Sequence, residues 1–317
     1  ITFNYKIIMN KKISIVTPTF NEESNIEALC VGVSEEMKKL SYDYEHIIID
    51  NSSDDKTVQI LRKLIEKDNK IKVIVNEKNY GHIRSPVHAI FQASGDAVIL
   101  MMADFQDPVS LIKEYIKEWE NGSEVVMAQK NTSEENFFKH FLKGQLYRFI
   151  NKLSEQKQLI NTTGSGLYSK RIIQELKNFK DPYPYFRGLI TEVTDKIKLI
   201  KFHQPKRKLG VSKNNFYTLY DIGILAIIKH SKLPLRIITL IGFFLSIISM
   251  LVAIVFFFRK ILNWSSFDLG IAPIIIGLFT LGSIQILILG LIGEYVMYIL
   301  THTRKLPLVI EKERINF

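Results

Sequence analysis

Sulfur chemistry is almost missing from this chain. Cys30 is the one cysteine in 317 residues, which excludes an intramolecular disulfide and any multi-cysteine zinc cage. The plainest reading of Cys30 is a buried thiol. A secretory leader is not expected, because ITFNYKIIMNKK at the N-terminus lacks a long apolar core. Met9 opens a stretch that reads as a natural start, so residues 1–8 carry no weight. Compositional bias is absent too: 47% hydrophobic and 23% charged residues are ordinary for a folded protein, and disorder is excluded as the main state. The length allows one good-sized domain with an appendage, or two domains.

Positive charge, by contrast, is in excess. A net charge of +10 asks for an anionic partner: nucleic acid, a phosphorylated substrate or an anionic lipid surface. The apolar residues choose among these. Residues 237–258 and 271–293 hold no charge over 22 and 23 residues, and about 20 such residues span a bilayer. Lys229, Lys232 and Arg236 precede the first run and Arg304 and Lys305 follow the second, while the loop between carries Arg259, Lys260 and Asp268. The positive-inside rule then puts both termini in the cytoplasm of a multi-pass protein of the cell membrane, with Trp264 and Tyr295 as interfacial anchors. Residues 214–232 have helical apolar spacing and read as an amphipathic helix on the membrane surface. Gly242, Gly277 and Gly282 would let membrane helices pack closely, a hint of a homo-oligomer. The expected organisation is a cytoplasmic domain over 1–213, an interfacial helix over 214–232, a membrane hairpin over 233–300 and a cytoplasmic tail over 301–317.

Within the first domain, strands and helices alternate. Strands are expected at Ile13–Val16, His46–Ile49, Lys72–Val75 and Ala97–Met101, and helices at Ser24–Leu40, Thr57–Lys67 and Ser85–Ala93. That order predicts an α/β fold with a mostly parallel, doubly wound sheet, whose ligands bind beyond the carboxyl ends of the strands. Polar clusters stand at those ends: Pro18-Thr19-Phe20-Asn21-Glu22, Asp50-Asn51-Ser52-Ser53-Asp54-Asp55, and Asp104-Phe105-Gln106-Asp107-Pro108. Each alone is weak, and Asp54 or Asp55 reads equally well as the cap of the helix from Thr57. Together and in this order they are far more specific.

The order resembles the family 2 glycosyltransferases of the GT-A fold. More narrowly it resembles the polyprenyl-phosphate glycosyltransferases, the dolichyl-phosphate mannose synthase-like branch with a C-terminal membrane hairpin. Pro18 to Glu22 matches that family's Pro-x-Tyr-Asn-Glu, Asp50 to Asp55 its Asp-Asp-Gly-Ser-x-Asp, Asn79-Tyr80-Gly81 its Asn-x-Gly, and Gly95-Asp96 its Gly-Asp. Met102 to Pro108 lies over Asp-Ala-Asp-Leu-Gln-Asp-Pro, Tyr185 to Glu192 over an Arg-Gly segment, and Arg207, Gly210, Ser212 and Lys213 over Arg-x-x-Gly-x-Ser-Lys.

The resemblance implies a GT-A catalytic domain with two C-terminal transmembrane helices. It implies metal-dependent, inverting transfer of one sugar from a nucleotide-sugar, expected to be UDP-linked, to a polyprenyl phosphate such as undecaprenyl phosphate. Pro18, Asn21, Glu22, Asp50, Ser52 and Asp104 would line the nucleotide-sugar pocket. Asp104 and Gln106, two apart and on one side of an extended segment, would hold Mg²⁺ or Mn²⁺ through oxygen. Glu192 would be the acceptor-side carboxylate, and Arg207, Ser212 and Lys213 would clamp the lipid phosphate. Asp104, Glu192 and Arg207 are the expected catalytic residues.

Three positions depart from the pattern. The first Asp of the metal motif is Met102, whose thioether is a poor Mg²⁺ ligand; an acceptor-side Asp is replaced by Ser165; and an upstream Arg is Gln204. Rival readings are a transferase acting on a hydroxyl, for which Glu192 would be the base, and a catalytically degenerate membrane scaffold. A processive polysaccharide synthase is disfavoured, since neither Trp119 nor Trp264 follows an arginine. Nucleic acid is excluded as a partner by the lack of any recognition motif.

Overall fold

The computed structural model describes residues 11–130, 162–203, 205, 271–304 and 306–317, with scattered helical positions between 240 and 262. The chain forms two compact units, one built on a sheet and including Leu306–Phe317, the other containing the C-terminal apolar helix.

The sheet unit begins with the strand–helix alternation expected from the sequence. Its elements are β1 (Lys12–Thr19), α1 (Ile26–Leu40), β2 (Asp43–Asp50), α2 (Thr57–Ile65), β3 (Ile71–Asn76), α3 (Gly81–Gln92) and β4 (Ala97–Leu100). They continue with α4 (Leu111–Glu120), β5 (Val125–Lys130), β6 (Thr162–Ser169), α5 (Lys170–Asn178), α6 (Phe186–Val193), β7 (Ile197–Phe202) and β8 (Glu311–Ile315). The sheet runs β7-β5-β6-β4-β1-β2-β3-β8. Only β6 and β8 run against the rest.

Side-chain alternation along the central strands separates two cores. Ile13, Ile15, Ile48, Val73 and Ile99 pack with α1, α2 and α4 on one face. Val16, Ile47, Ile49, Ile74, Val98 and Leu100 pack with α3, α5 and α6 on the other. The strands are therefore covered on both sides, which is why they read as near-continuous apolar runs.

Two glycines fix how strands approach. A Cβ on Gly166 of β6 would stand 2.2 Å from the Val126 carbonyl oxygen of β5. A Cβ on Gly95 would stand 2.8 Å from the Lys12 oxygen and the Ser14 nitrogen. Beside Gly95, the Asp96 carboxylate accepts from the Lys12 N–H at 3.0 Å and so locks the start of β4 against β1. The Gly-Asp pair noted in the sequence is thus a strand-docking device.

The C-terminal segment departs from expectation. Rather than a separate tail, residues beyond 305 rejoin the sheet unit, and β8 pairs antiparallel with β3 from Val73–Ile315 to Asn76–Glu311. The other unit contains α7 (Ile271–Thr303), 33 residues and so about 50 Å long. Its stretch Ile284–Thr303 is long and apolar enough to cross a membrane, with none of it buried. Among the described residues it is the one such helix. Of the first run, the described positions are helical and apolar residues such as Phe243, Phe244 and Leu251 are exposed. The expected interfacial helix over 214–232 lies outside the described residues.

Candidate active site

Strands β4, β1 and β2 are neighbours and run parallel, so their carboxyl ends deliver three loops to one edge of the sheet. The chain order reverses between β1 and β4, the switch point where open α/β sheets bind ligands.

Pro18 can sit near the end of a central strand because β4 stops short of it. The Met101 N–H bonds the Val16 carbonyl, so residues 16 and 18 face the β4 side, and pairing with β4 ends at Val16–Leu100. The missing N–H of Pro18 therefore costs no ladder bond. Past it, the first two loops are zipped together. The Asn21 N–H donates to Ser53 Oγ at 2.9 Å, and the Asp54 N–H returns to Asn21 Oδ1 at 3.1 Å. The Glu22 N–H donates to Thr57 Oγ1, the Glu23 N–H to Asp55 and the Lys56 N–H to Glu23. Asp55 also accepts from the Thr57 N–H at 2.9 Å, although the N-cap position itself is Lys56 rather than Asp54 or Asp55.

Asp50 organises the second loop from within. It is fully buried, and its two oxygens accept from the Ser53 N–H at 2.8 Å and the Ser53 hydroxyl at 2.5 Å, with Thr19 Oγ1 at 3.4 Å. Burial pushes its carboxyl up from the usual range, and the Ser53 and Thr19 bonds oppose that rise.

Asn51 is the hub that sequence reasoning missed. Its amide donates to Asn79 Oδ1 at 2.7 Å and to the Gly81 carbonyl, while its Oδ1 accepts from the Tyr80 N–H and the Asn76 amide. This ties the end of β2 to the end of β3 and the first turn of α3. The Asn-Tyr-Gly segment was the available signal, but nothing in the sequence pairs it with Asn51.

The loops also hold strained backbone. Asn21, Ser52 and Phe105 have φ of 56°, 65° and 57°, a left-handed conformation that costs non-glycine residues on the order of 1–2 kcal/mol and that gathers at functional sites. One falls in each loop. Ser52 stands where the resembled motif has glycine.

The third loop corrects one premise. Residues 103–107 form a turn rather than an extended segment, with Phe105 left-handed and Asp104 Oδ1 accepting from the Gln106 N–H at 3.2 Å. Strand alternation therefore does not align Asp104 with Gln106. Their chemistry still suits a hard divalent cation, since both offer oxygen and Mg²⁺ commonly takes one or two protein oxygens beside phosphates and water. No group of three His, Cys, Asp or Glu side chains clusters as a metal cage among the described residues. Met102 packs against the core beneath α3 and α5, so the departure there fills apolar space.

On the far side, Ser165 is fully buried in β6 and donates to the Leu100 carbonyl at 2.8 Å, a tie between strands. Glu192 is exposed on α6, whose Leu189 and Ile190 face the core. Arg207, Ser212 and Lys213 lie outside the described residues, as does Gln204. Arg187, at the start of α6, donates to the Thr162 carbonyl at 2.9 Å and lies over the Tyr185 ring. Loss of hydration, and then the Arg187 cation, hold His82 below its ordinary pKa.

Residues 14–196 match the sequence profile of the family described as Glycosyl transferase family 2. The chain belongs to that family. It is a glycosyltransferase of GT-A fold, with the mostly parallel sheet expected. An uncharacterized glycosyltransferase of Bacillus subtilis (strain 168), YkcC, is 30% identical over 94% of this chain and 92% of its own length. The SfII prophage-derived bactoprenol glucosyl transferase of Shigella flexneri is 28% identical over 95% of this chain and 98% of its own. Among solved structures, mannosyl-3-phosphoglycerate synthase from Rubrobacter xylanophilus shares the fold with a TM-score of 0.50 at 13% identity, covering 73% of this chain and 75% of that one.

Proposed function

We propose that this family 2 enzyme transfers a single sugar from a nucleotide-sugar, UDP-linked, to a polyprenyl phosphate at the cytoplasmic face of the membrane. The observation that carries the reading is the full-length likeness to a bactoprenol glucosyl transferase: 303 aligned residues take in the strand-end loops and the unburied apolar helix alike. A GT-A domain alone would fit many acceptors; one tethered by apolar helices fits an acceptor that lives in the bilayer.

In this reading the loops after β1 and β2 hold the nucleotide, with Pro18, Asn21, Glu22, Asp50 and Ser52 forming or bracing its pocket. Asp104 and Gln106 would hold a divalent cation, which would offset the charge on the departing diphosphate. An oxygen of the lipid phosphate attacks the anomeric carbon from the side opposite the nucleotide. The bond to the diphosphate breaks as the new one forms, and configuration inverts. A phosphate is largely ionised at neutral pH, so no strong base is required, and the burial of Ser165 is no obstacle. Arg207, Ser212 and Lys213 would position the acceptor. The two apolar runs make the membrane hairpin and anchor the chain in the cell membrane with both termini cytoplasmic.

The test is transfer itself. Purified protein in detergent would be incubated with undecaprenyl phosphate, Mn²⁺ and a panel of labelled nucleotide-sugars, and label counted in the organic phase. We expect one sugar to partition with lipid, and Asp104→Ala to lower that label by about 100-fold or more with an unchanged melting temperature. Nucleotide-sugar turnover without lipid label would overturn the acceptor assignment.

A further inference from the structure

A half-buried flank of α3 carries a row that the site description leaves unexplained. Arg84, His88 and Gln92 stand at i, i+4 and i+8, one above the other, and all three engage the segment that follows α7. Arg84 Nη2 donates to the Pro307 carbonyl at 2.7 Å. His88 Nε2 lies 2.5 Å from Glu311 Oε1, and Gln92 Oε1 accepts from Arg314 at 2.9 Å. Asn316 adds bonds to the Asn69 and Ile71 carbonyls, and Arg62 pairs with Glu313.

Arg84 faces two ways. Besides Pro307, its guanidinium lies 5.1 Å from the centre of the Tyr80 ring, which Lys78 approaches at 5.5 Å. The Tyr80 N–H is held by Asn51 Oδ1 at 2.9 Å, and the Asn51 N–H by the Thr19 carbonyl at 2.9 Å. A continuous line of contacts thus runs from Pro307 through Arg84 and Tyr80 to the loops after β1 and β2. Stability alone gives a poor reason for an arginine here, because its Nε is buried with no hydrogen-bond partner among the described residues, a costly arrangement that an aliphatic chain would avoid.

We propose that Arg84 is a positioning residue for the nucleoside-diphosphate donor: it transmits the hold of the C-terminal strand to Tyr80 and the Asn51 loop. The proposal rests on the donor-site reading above. It assigns the strand β8 a role in donor binding, so the donor pocket is complete only when the residues after α7 are seated.

Two readouts test this. The first is hydrogen–deuterium exchange, which needs no substrate. Arg84→Met should speed exchange of the Tyr80 and Gly81 amides at least tenfold while β1 and β4 amides keep their rates; unchanged exchange at Tyr80 and Gly81 overturns the proposal whatever the enzyme's substrate. The second is kinetic. Arg84→Met should raise the donor KM five- to tenfold with kcat within twofold, and Arg84→Lys, which keeps a cation but not the two-way fork, should fall between. Deleting Leu306–Phe317 should raise KM alike, and adding Arg84→Met to the deletion should raise it no further. Fold-changes that multiply, or a fall in kcat at constant KM, would overturn the coupling. A wild-type protein that turns over no nucleotide-sugar would contradict the proposed function, and the exchange result would still decide this inference.

Discussion

At the scale of single residues, much of the candidate site is held by groups that never need to meet a ligand. Asp50 and Asn51 spend their hydrogen bonds on Ser53, Tyr80 and Asn79. Ser52 is left-handed without being glycine. Ser52→Gly should therefore stabilise the protein by about 0.5–1 kcal/mol, the αL penalty less the extra freedom of glycine in the unfolded chain; thermal unfolding checks this.

Two buried ionisable residues set a dependence on pH. His46 is buried beside Thr17 Oγ1 at 3.0 Å, and burial pushes its pKa down to about 4. The unfolded residue titrates near 6.5, so between those values the unfolded state binds the proton and the folded state does not. Stability should fall as pH drops from 6.5 to 4, by on the order of 3 kcal/mol. Burial opposes the charge on Glu45, but bonds from Ser14, Lys72 and Ser94 outweigh it and hold the carboxyl down at about 2. Its contribution is present above about 4.5 and is lost as pH falls toward 2. Urea unfolding across pH should show both windows, and His46→Gln should remove the upper slope alone.

At the scale of elements, the first half of the sheet was legible because β1 to β4 are buried on both faces and announce themselves as apolar runs between polar strand ends. Boundaries were less so. Helix α3 was expected from Ser85, which would put Pro86 in the first turn, where proline is at home. It begins instead at Gly81, whose N–H is capped by Asn79 Oδ1 at 2.8 Å, and Pro86 lies inside it. Strand β8 was illegible for a different reason. Its sequence, Glu-Lys-Glu-Arg-Ile, buries no side chain fully and joins an edge through backbone bonds and ion pairs, which leave no apolar pattern to read. Strand β6 entered the sequence reading only through Ser165, the position of a replaced acceptor-side Asp. Its Gly166 is a packing requirement, so Gly166→Ala should cost about 3 kcal/mol through forced separation of β5 and β6, seen as a lowered unfolding midpoint.

At the scale of the whole molecule, the sequence separates a charged, alternating stretch from uncharged apolar runs, and among the described residues the returning C-terminal strand belongs to the sheet unit. The strand-end loops could be located because strand order dictates where they meet. Their internal wiring could not, because Asn51 finds Asn76 and Asn79 only once β2 and β3 lie side by side. The proposed acceptor side rests on Arg207, Ser212 and Lys213 and on a bilayer, so the bond proposed there is the decisive observable. Phosphorus NMR of undecaprenyl phosphate incubated with the enzyme, Mn²⁺ and the donor nucleotide-sugar reads that bond directly. The account predicts that the lipid monoester resonance gives way to a phosphodiester as nucleoside diphosphate appears in equal amount, and that Asp104→Ala abolishes both. A lipid phosphate that stays a monoester while nucleoside diphosphate accumulates would contradict it.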